Sequence, residues 1–231
     1  MLEIRGLDSF YGRAQILDSV DLKVGAGEAV ALLGRNGAGK STLLKSIVGL
    51  VRERRGSIRF QDTELLGLPT HLVSRLGVGY VPEERRIFTN LTVRENLEVG
   101  RRRGKPGRWP LERIFEVFPN LKGMLGRMAG EMSGGEQQML TVARTLMGDP
   151  RLVLLDEPSE GLAPLIVEQM ARMVRRLHAE GLSILLCEQN MHFAGAVCER
   201  AYIIERGAIR FSGDMRRVVE DEALRRDYLA V

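Results

Sequence analysis

Cysteine is scarce in this chain of 231 residues, with Cys187 and Cys198 the only two. Two thiols cannot staple a small secreted framework, so both read as buried thiols in a fold held by its own core. A chain of this length needs no staple, because it buries most of the apolar surface its unfolded form exposes. Aromatic residues make up only 5% and do not interleave with basic ones, which excludes a base-stacking platform for nucleic acid. Long apolar runs are missing too. The runs there are, such as Leu152 to Leu155 and Leu182 to Cys187 with Ser183 inside, are strand-length and far from the roughly 20 residues of a membrane span. Glu3 and Arg5 interrupt any apolar stretch behind Met1, so no secretory leader is expected. Neither sign of charge dominates: 34 Lys and Arg against 30 Asp and Glu leave a net charge of +4, too mild to call for nucleic acid. The expectation is a soluble chain of cytoplasmic type.

What is present is a globular balance, 44% hydrophobic and 28% charged, at a length that suits one domain with an insert. Leu2, Ile4 and Leu7 start a strand, and Val20, Leu22 and Val24 alternate with polar neighbours in a second. Ala29 to Leu33 is apolar throughout, as in a strand buried on both faces. A helix is predicted from about Lys40 to Leu50, then a short strand at Ile58 to Phe60, a helix capped by Thr70, and a strand at Val78 to Val81. Residues 85–148 carry helical patterns only, at Thr92 to Val99, Leu111 to Phe118 and Glu136 to Met147. Strands return at Leu152 to Leu155, Ser183 to Cys187, Ala201 to Ile204 and Ala208 to Phe211, with a long helix from about Pro164 to Glu180. The chain reads as an α/β core, 1–84 and 149–231, with a helical insert at 85–148. The basic run Arg101-Arg102-Arg103 with Lys105 and Arg108 is broken by glycine and proline and reads as a solvated loop.

Between the apolar strand and the first helix lies Gly34-Arg35-Asn36-Gly37-Ala38-Gly39-Lys40-Ser41-Thr42, a match to G-x-x-x-x-G-K-[ST] in the context that confirms it. Glycines let backbone N–H groups converge on phosphate oxygens, and the helix N-terminus adds its positive dipole end. Lys40 can reach the β- and γ-phosphates, and the Ser41 hydroxyl can ligate Mg²⁺. Such a site needs a carboxylate for the metal and a base for water. Asp156 and Glu157 leave the end of a buried strand side by side, where open α/β sheets place their ligand crevice. Asp156 is the candidate Mg²⁺ partner and Glu157 the candidate base. A third segment, Ser133-Gly134-Gly135-Glu136, has capping-box spacing, with Ser133 as N-cap and Glu136 at N3. Two glycines in a first helical turn cost stability, which makes sense if something must approach that backbone closely. A capped helix with a flexible entry fits these four residues equally well.

Taken together, these residues resemble the ATP-binding subunit of an ABC transporter, over nearly the whole chain. Met132-Ser133-Gly134-Gly135-Glu136-Gln137-Gln138 is similar to the family signature, with methionine in place of the leading leucine. The resemblance implies a P-loop core with an N-terminal antiparallel β-subdomain and a helical signature subdomain, ATP and Mg²⁺ as ligands, and a head-to-tail dimer. In such a dimer the signature of one subunit closes over the γ-phosphate held by the other. Tyr11 matches the aromatic that stacks on adenine. The insert matches the part that docks on a membrane permease, with Arg85, Arg86, Ile87, Phe88 and Leu91 as its candidate surface. The implied location is the cytoplasmic face of the inner membrane, with a solute-binding protein as an indirect partner.

Three positions depart from the family pattern. Val81-Pro82-Glu83-Glu84 carries Glu83 where a glutamine is usual, making Glu83 a further candidate metal contact. Ala163 stands where an aspartate usually follows the base. Gln189 occupies the place of the switch histidine, and His192 three residues on is out of register for that role. Pro82-Glu83-Glu84-Arg85-Arg86, Glu160-Gly161-Leu162-Ala163-Pro164 and Glu188-Gln189-Asn190 together are similar to one of the two ATPases of branched-chain amino-acid importers. Urea or amide import, lipopolysaccharide export, and a nucleotide-gated subunit with weak hydrolysis are the alternatives.

Overall fold

The computed structural model describes residues 1–102 and 107–229. Arg103 and Lys105 of the basic run lie outside the described residues. The chain opens with β1 (Leu2–Tyr11), β2 (Ala14–Val24) and β3 (Ala29–Leu33), followed by α1 (Lys40–Ile47). Next come β4 (Glu53–Phe60), β5 (Thr63–Glu64), α2 (Thr70–Leu76) and β6 (Val78–Val81). The insert holds α3 (Val93–Gly100), α4 (Leu111–Val117), α5 (Pro119–Lys122) and α6 (Gly134–Met147). After it run β7 (Leu152–Asp156), α7 (Pro164–Ala179), β8 (Ser183–Glu188) and α8 (Met191–Val197), then β9 (Arg200–Glu205), β10 (Ala208–Asp214), α9 (Met215–Glu220) and α10 (Glu222–Tyr228). No helix is long and apolar enough to cross a membrane among the described residues.

Two sheets organise these elements. One is antiparallel, in the order β2-β1-β4-β5. The other runs β10-β9-β3-β8-β7-β6, parallel from β9 through β6, with β10 antiparallel at its edge. Residues alternate between the faces of β3, which explains its unbroken apolar run. Val30 and Leu32 join the core shared with the antiparallel sheet and α1, whereas Ala31 and Leu33 join the core shared with the insert helices and α7. The insert therefore packs on one face of the parallel sheet and shares its hydrophobic core.

Several boundaries differ from the sequence expectation. Pro69, not Thr70, is the N-cap of α2, since its extended backbone already starts the turn and Thr70 makes no capping bond. The first helix stops at Ile47, because Gly49 turns left-handed at φ 80°. β4 starts at Glu53, drawn out by pairing with β1 that its charged residues do not advertise. Both cysteines are buried and unbonded.

Parallel register brings four strand ends to one edge. Leu33 lies opposite Glu188 and Ile203, Asp156 opposite Cys187, and Val81 opposite Leu155. The glycine-rich loop, Gln189, Glu157 and Glu83 each follow directly from one of these ends.

Candidate functional site

The loop from Gly34 to Gly39 wraps the start of α1. Gly39 sits at φ 112°, a conformation that side chains resist, and an added Cβ would lie 2.9 Å from a Leu17 methyl. Lys40 follows, 3% exposed, with its ammonium turned back into the loop mouth. It donates to the carbonyls of Gly34 (2.7 Å) and Arg35 (3.0 Å) and pairs with Glu157 at 3.0 Å. Ser41 Oγ donates to Asp156 Oδ1 at 2.9 Å, and Tyr80 OH donates to Asp156 Oδ2 at 2.9 Å. Burial pushes the Asp156 carboxyl upward against those two bonds, and it pushes the Tyr80 phenol well up, helped by Asp156.

Glu157 holds a left-handed backbone at φ 45°, which a glutamate adopts at a cost. Burial favours its neutral form, yet the Gln189 amide and the Lys40 ammonium outweigh that and hold it below the ordinary carboxylate range. Gln189 Nε2 bridges Glu157 Oε2 at 2.9 Å and Asn36 Oδ1 at 2.5 Å. Glu160, hydrogen-bonded to Glu157, is pushed up to about 7 by that contact. Glu83 is raised as well, by burial and by the charges of Glu157 and Asp156. A cleft of about 340 Å³ is lined by Tyr11, Asn36, Gly37, Gly39, Lys40, Ser41, Thr42, Glu83 and Glu157. Tyr11 is half exposed at its rim, where a planar ring has room to stack.

The structure thus gathers Tyr11, the 34–42 loop, Glu83, Asp156, Glu157 and Gln189 at one sheet edge. It does not bring Ser133, Gly134, Gly135 or Glu136 there, for none of them lines the cleft. Their helix does start as expected: Ser133 Oγ accepts from Glu136 N, and the Glu136 carboxylate accepts from Ser133 N at 2.7 Å. The paired glycines have an internal reason. A Cβ on Gly134 would stand 2.5 Å from the Arg85 guanidinium, and one on Gly135 would stand 2.7 Å from an Ile166 methyl.

Two residues of the site were not singled out from sequence. Tyr80 reaches Asp156 because β6 lies beside β7. Glu188, 2% exposed, accepts backbone N–H groups from Ser159, Gln189 and Asn190, each at 3.1 Å, tying the segment after Glu157 to the one carrying Gln189. Tyr80's bond to Asp156 and Glu188's bond to Ser159 N depend on strand neighbours that no local pattern announces.

Gln189 donates a hydrogen bond but carries no titratable proton near neutral pH. Gln189→His is expected to raise hydrolysis at this chain's own site, in a dimer whose other site is silenced, and to add pH dependence between about 6 and about 8. Steady-state phosphate release against pH checks this. An unchanged rate would mean that the amide already serves as the histidine would, or that the switch lies elsewhere.

A family profile described as ABC transporter matches residues 17–160. The high-affinity branched-chain amino acid transport ATP-binding protein BraG of Pseudomonas aeruginosa is 44% identical over 211 residues, covering 90% of this chain and 91% of BraG. The lipopolysaccharide export system ATP-binding protein LptB of Escherichia coli K12 is 34% identical over 238 residues, covering 99% and 96%. Among solved structures, an ATP-binding subunit of an ABC transporter superposes with a TM-score of 0.83 at 29% identity, covering 100% of this chain and 96% of that one.

Proposed function

We propose, from the premise that this chain belongs to the ABC transporter family and is one of its ATP-hydrolysing subunits, that it powers import of branched-chain amino acids. The observation that carries this reading is the 44% identity to BraG against 34% to LptB, over nearly complete chains in both cases. The departures at Glu83, Ala163 and Gln189 favour the same reading.

In this account Gly34 to Thr42 cradle the phosphates, Lys40 leaves its loop carbonyls for the β- and γ-phosphates, and Tyr11 stacks on adenine. Ser41 and Asp156 would hold Mg²⁺, with Glu83 as a further contact. The donor set fits: the Ser41 hydroxyl and the Asp156 carboxylate already stand 2.9 Å apart, and Glu83 lines the same cleft as Ser41. A hydroxyl and one or two carboxylates suit an ion that keeps its waters and leans on substrate phosphates. Mg²⁺ supplies charge neutralisation at the transferring phosphate when bound. Glu157, released from Lys40 as phosphate takes over that charge, accepts the proton of the attacking water, oriented by Gln189.

Ser133, Gly134, Gly135 and Glu136 serve the nucleotide of a second ATPase subunit, which accounts for a phosphate-binding helix end outside this chain's own cleft. The insert meets the permease subunits, where Phe88 is 48% exposed under the Arg144 guanidinium. A solute-binding protein delivers the cargo to those permeases at the membrane, with this chain peripheral on the cytoplasmic side.

Deleting the gene tests the reading. Uptake of labelled leucine should fall to background while the outer-membrane permeability barrier stays intact. Normal uptake with a broken barrier would favour lipopolysaccharide export.

A further inference from the structure

Arg85 lies in a strained turn. Its φ is 63° and that of Arg86 is 42°, in the left-handed region that non-glycine residues enter at a cost. Side chains from the insert hold the turn in place. Thr141 Oγ1 donates to the Arg85 carbonyl at 2.5 Å, and the Arg144 guanidinium donates to the Arg86 carbonyl at 2.7 Å. Asn96 accepts from Phe88 N and donates to Phe88 O, both at 2.9 Å. What this turn presents is a guanidinium. Arg85 Nη1 lies 2.5 Å from where a Cβ on Gly134 would stand, and Nη2 lies 3.9 Å from the corresponding point on Gly161. The side chain therefore crosses the first turn of α6 and stands beside the segment that follows Glu157. It is half-buried there.

A cation there is electrostatically misplaced, since a helix N-terminus already presents positive charge. The one carboxylate of that first turn, Glu136, is engaged by Ser133 N at 2.7 Å and lies 3.9 Å from the Arg127 guanidinium. Glu84 pairs with Arg86 at 3.3 Å, and among the described residues none forms an ion pair with Arg85. Four residues along the same face of α6, Gln138 is 2% exposed and neither of its amide atoms meets a protein partner. Two positive features, the guanidinium and the N–H groups of Gly134 and Gly135, converge at the start of α6, one turn ahead of the unsatisfied Gln138 amide. An anion satisfies both of the positive features.

We infer that Arg85 contacts the terminal phosphate of the ATP bound in the other subunit's P-loop, beside the Ser133 hydroxyl and the Gly134 and Gly135 N–H groups. The inference rests on the dimer reading given above. This chain's own nucleotide is not the source, because neither Arg85 nor Ser133 lines its cleft. A planar guanidinium suits a phosphate through two parallel N–H donors, which a lysine cannot reproduce. ADP lacks the terminal phosphate, so the contact discriminates triphosphate from diphosphate.

The test measures Mg-ATP-driven association by light scattering, with Glu157→Gln to preserve the nucleotide, in the dimer this chain forms with itself or with its sister ATPase. Arg85→Ala should weaken association roughly 10- to 100-fold, as loss of a charged hydrogen bond does, while Mg-ATP binding to the isolated chain stays unchanged. Arg85→Lys should fall between. Arg85→Gly relieves the left-handed strain, so it should be at least as heat-stable as the parent and still fail to associate. Association of Arg85→Gly and Arg85→Ala like the parent overturns the assignment alone. Weakened ATP binding by the isolated Arg85→Ala chain also overturns it, since Arg85 would then act on its own subunit's nucleotide. Failure of the parent to associate in either pairing overturns the dimer reading, and the assignment with it.

Discussion

Lys40→Ala is expected to abolish both ATP binding and turnover, with no calorimetric signal for Mg-ATP at concentrations that saturate the parent. The ammonium is held against the loop carbonyls of Gly34 and Arg35, and a methyl group offers no charge to phosphate. From sequence alone the substitution removes only this charge. The structure adds a cost, because Lys40 is also the buried partner of Glu157 at 3.0 Å. Removing one member of a buried pair typically costs about 3–5 kcal/mol through the charge left behind. The sign of its pH dependence follows from Glu157. Its carboxyl lies below the ordinary 4.5 in the folded chain, so its stabilisation is present above that value and is lost as pH falls through the folded pKa. The melting deficit of Lys40→Ala should therefore be full at neutral pH and shrink in acid. Wild-type affinity for ATP in this variant would remove the P-loop assignment.

Glu157→Gln should lower hydrolysis by on the order of 10²–10⁴ while leaving nucleotide binding in place. The amide keeps the shape of the side chain, so the left-handed turn at φ 45° survives, but it cannot accept the proton of water. With Mg-ATP the variant should accumulate as a closed dimer, read by size-exclusion chromatography. Glu160 supplies an internal check. It sits at about 7 because it shares a hydrogen bond with the Glu157 carboxylate, and neutralising Glu157 should let it fall toward 4.5. Equal turnover in parent and variant would move the base elsewhere, with Glu83, itself raised by the neighbouring acids, next in line.

How much of this was legible from sequence varies with the range of the interaction. The 34–42 loop is written in one stretch, because a phosphate cradle needs glycines and a lysine at fixed local spacing. Asp156 and Glu157 are legible because two acids after four apolar residues have few structural reasons to be there. The helices α8, α9 and α10 were missed: at 6 or 7 residues they are too short to show a period. Their caps, Asn190, Asp214 and Asp221, were nonetheless visible signals, each accepting a backbone N–H in the structure. At Gly134 and Gly135 the sequence left a close approach and a flexible capped entry equally open, and the structure shows the chain's own Arg85 and Ile166 filling that space.

By itself, then, the sequence determined the elements and their chemistry, since strand burial, helix caps and the phosphate loop depend on neighbours a few residues away. It also determined the family, because those motifs recur in order along the chain. Only the tertiary structure decided which groups meet. The order β3-β8-β7-β6 places Gln189 between Asn36 and Glu157, seats Tyr80 on Asp156 and buries Glu188 between the segments that carry Glu157 and Gln189. The physical reason is that a parallel sheet pairs strands far apart in the chain, so hydrogen bonds spanning 29 to 153 residues are set by strand order and register, which no local pattern encodes.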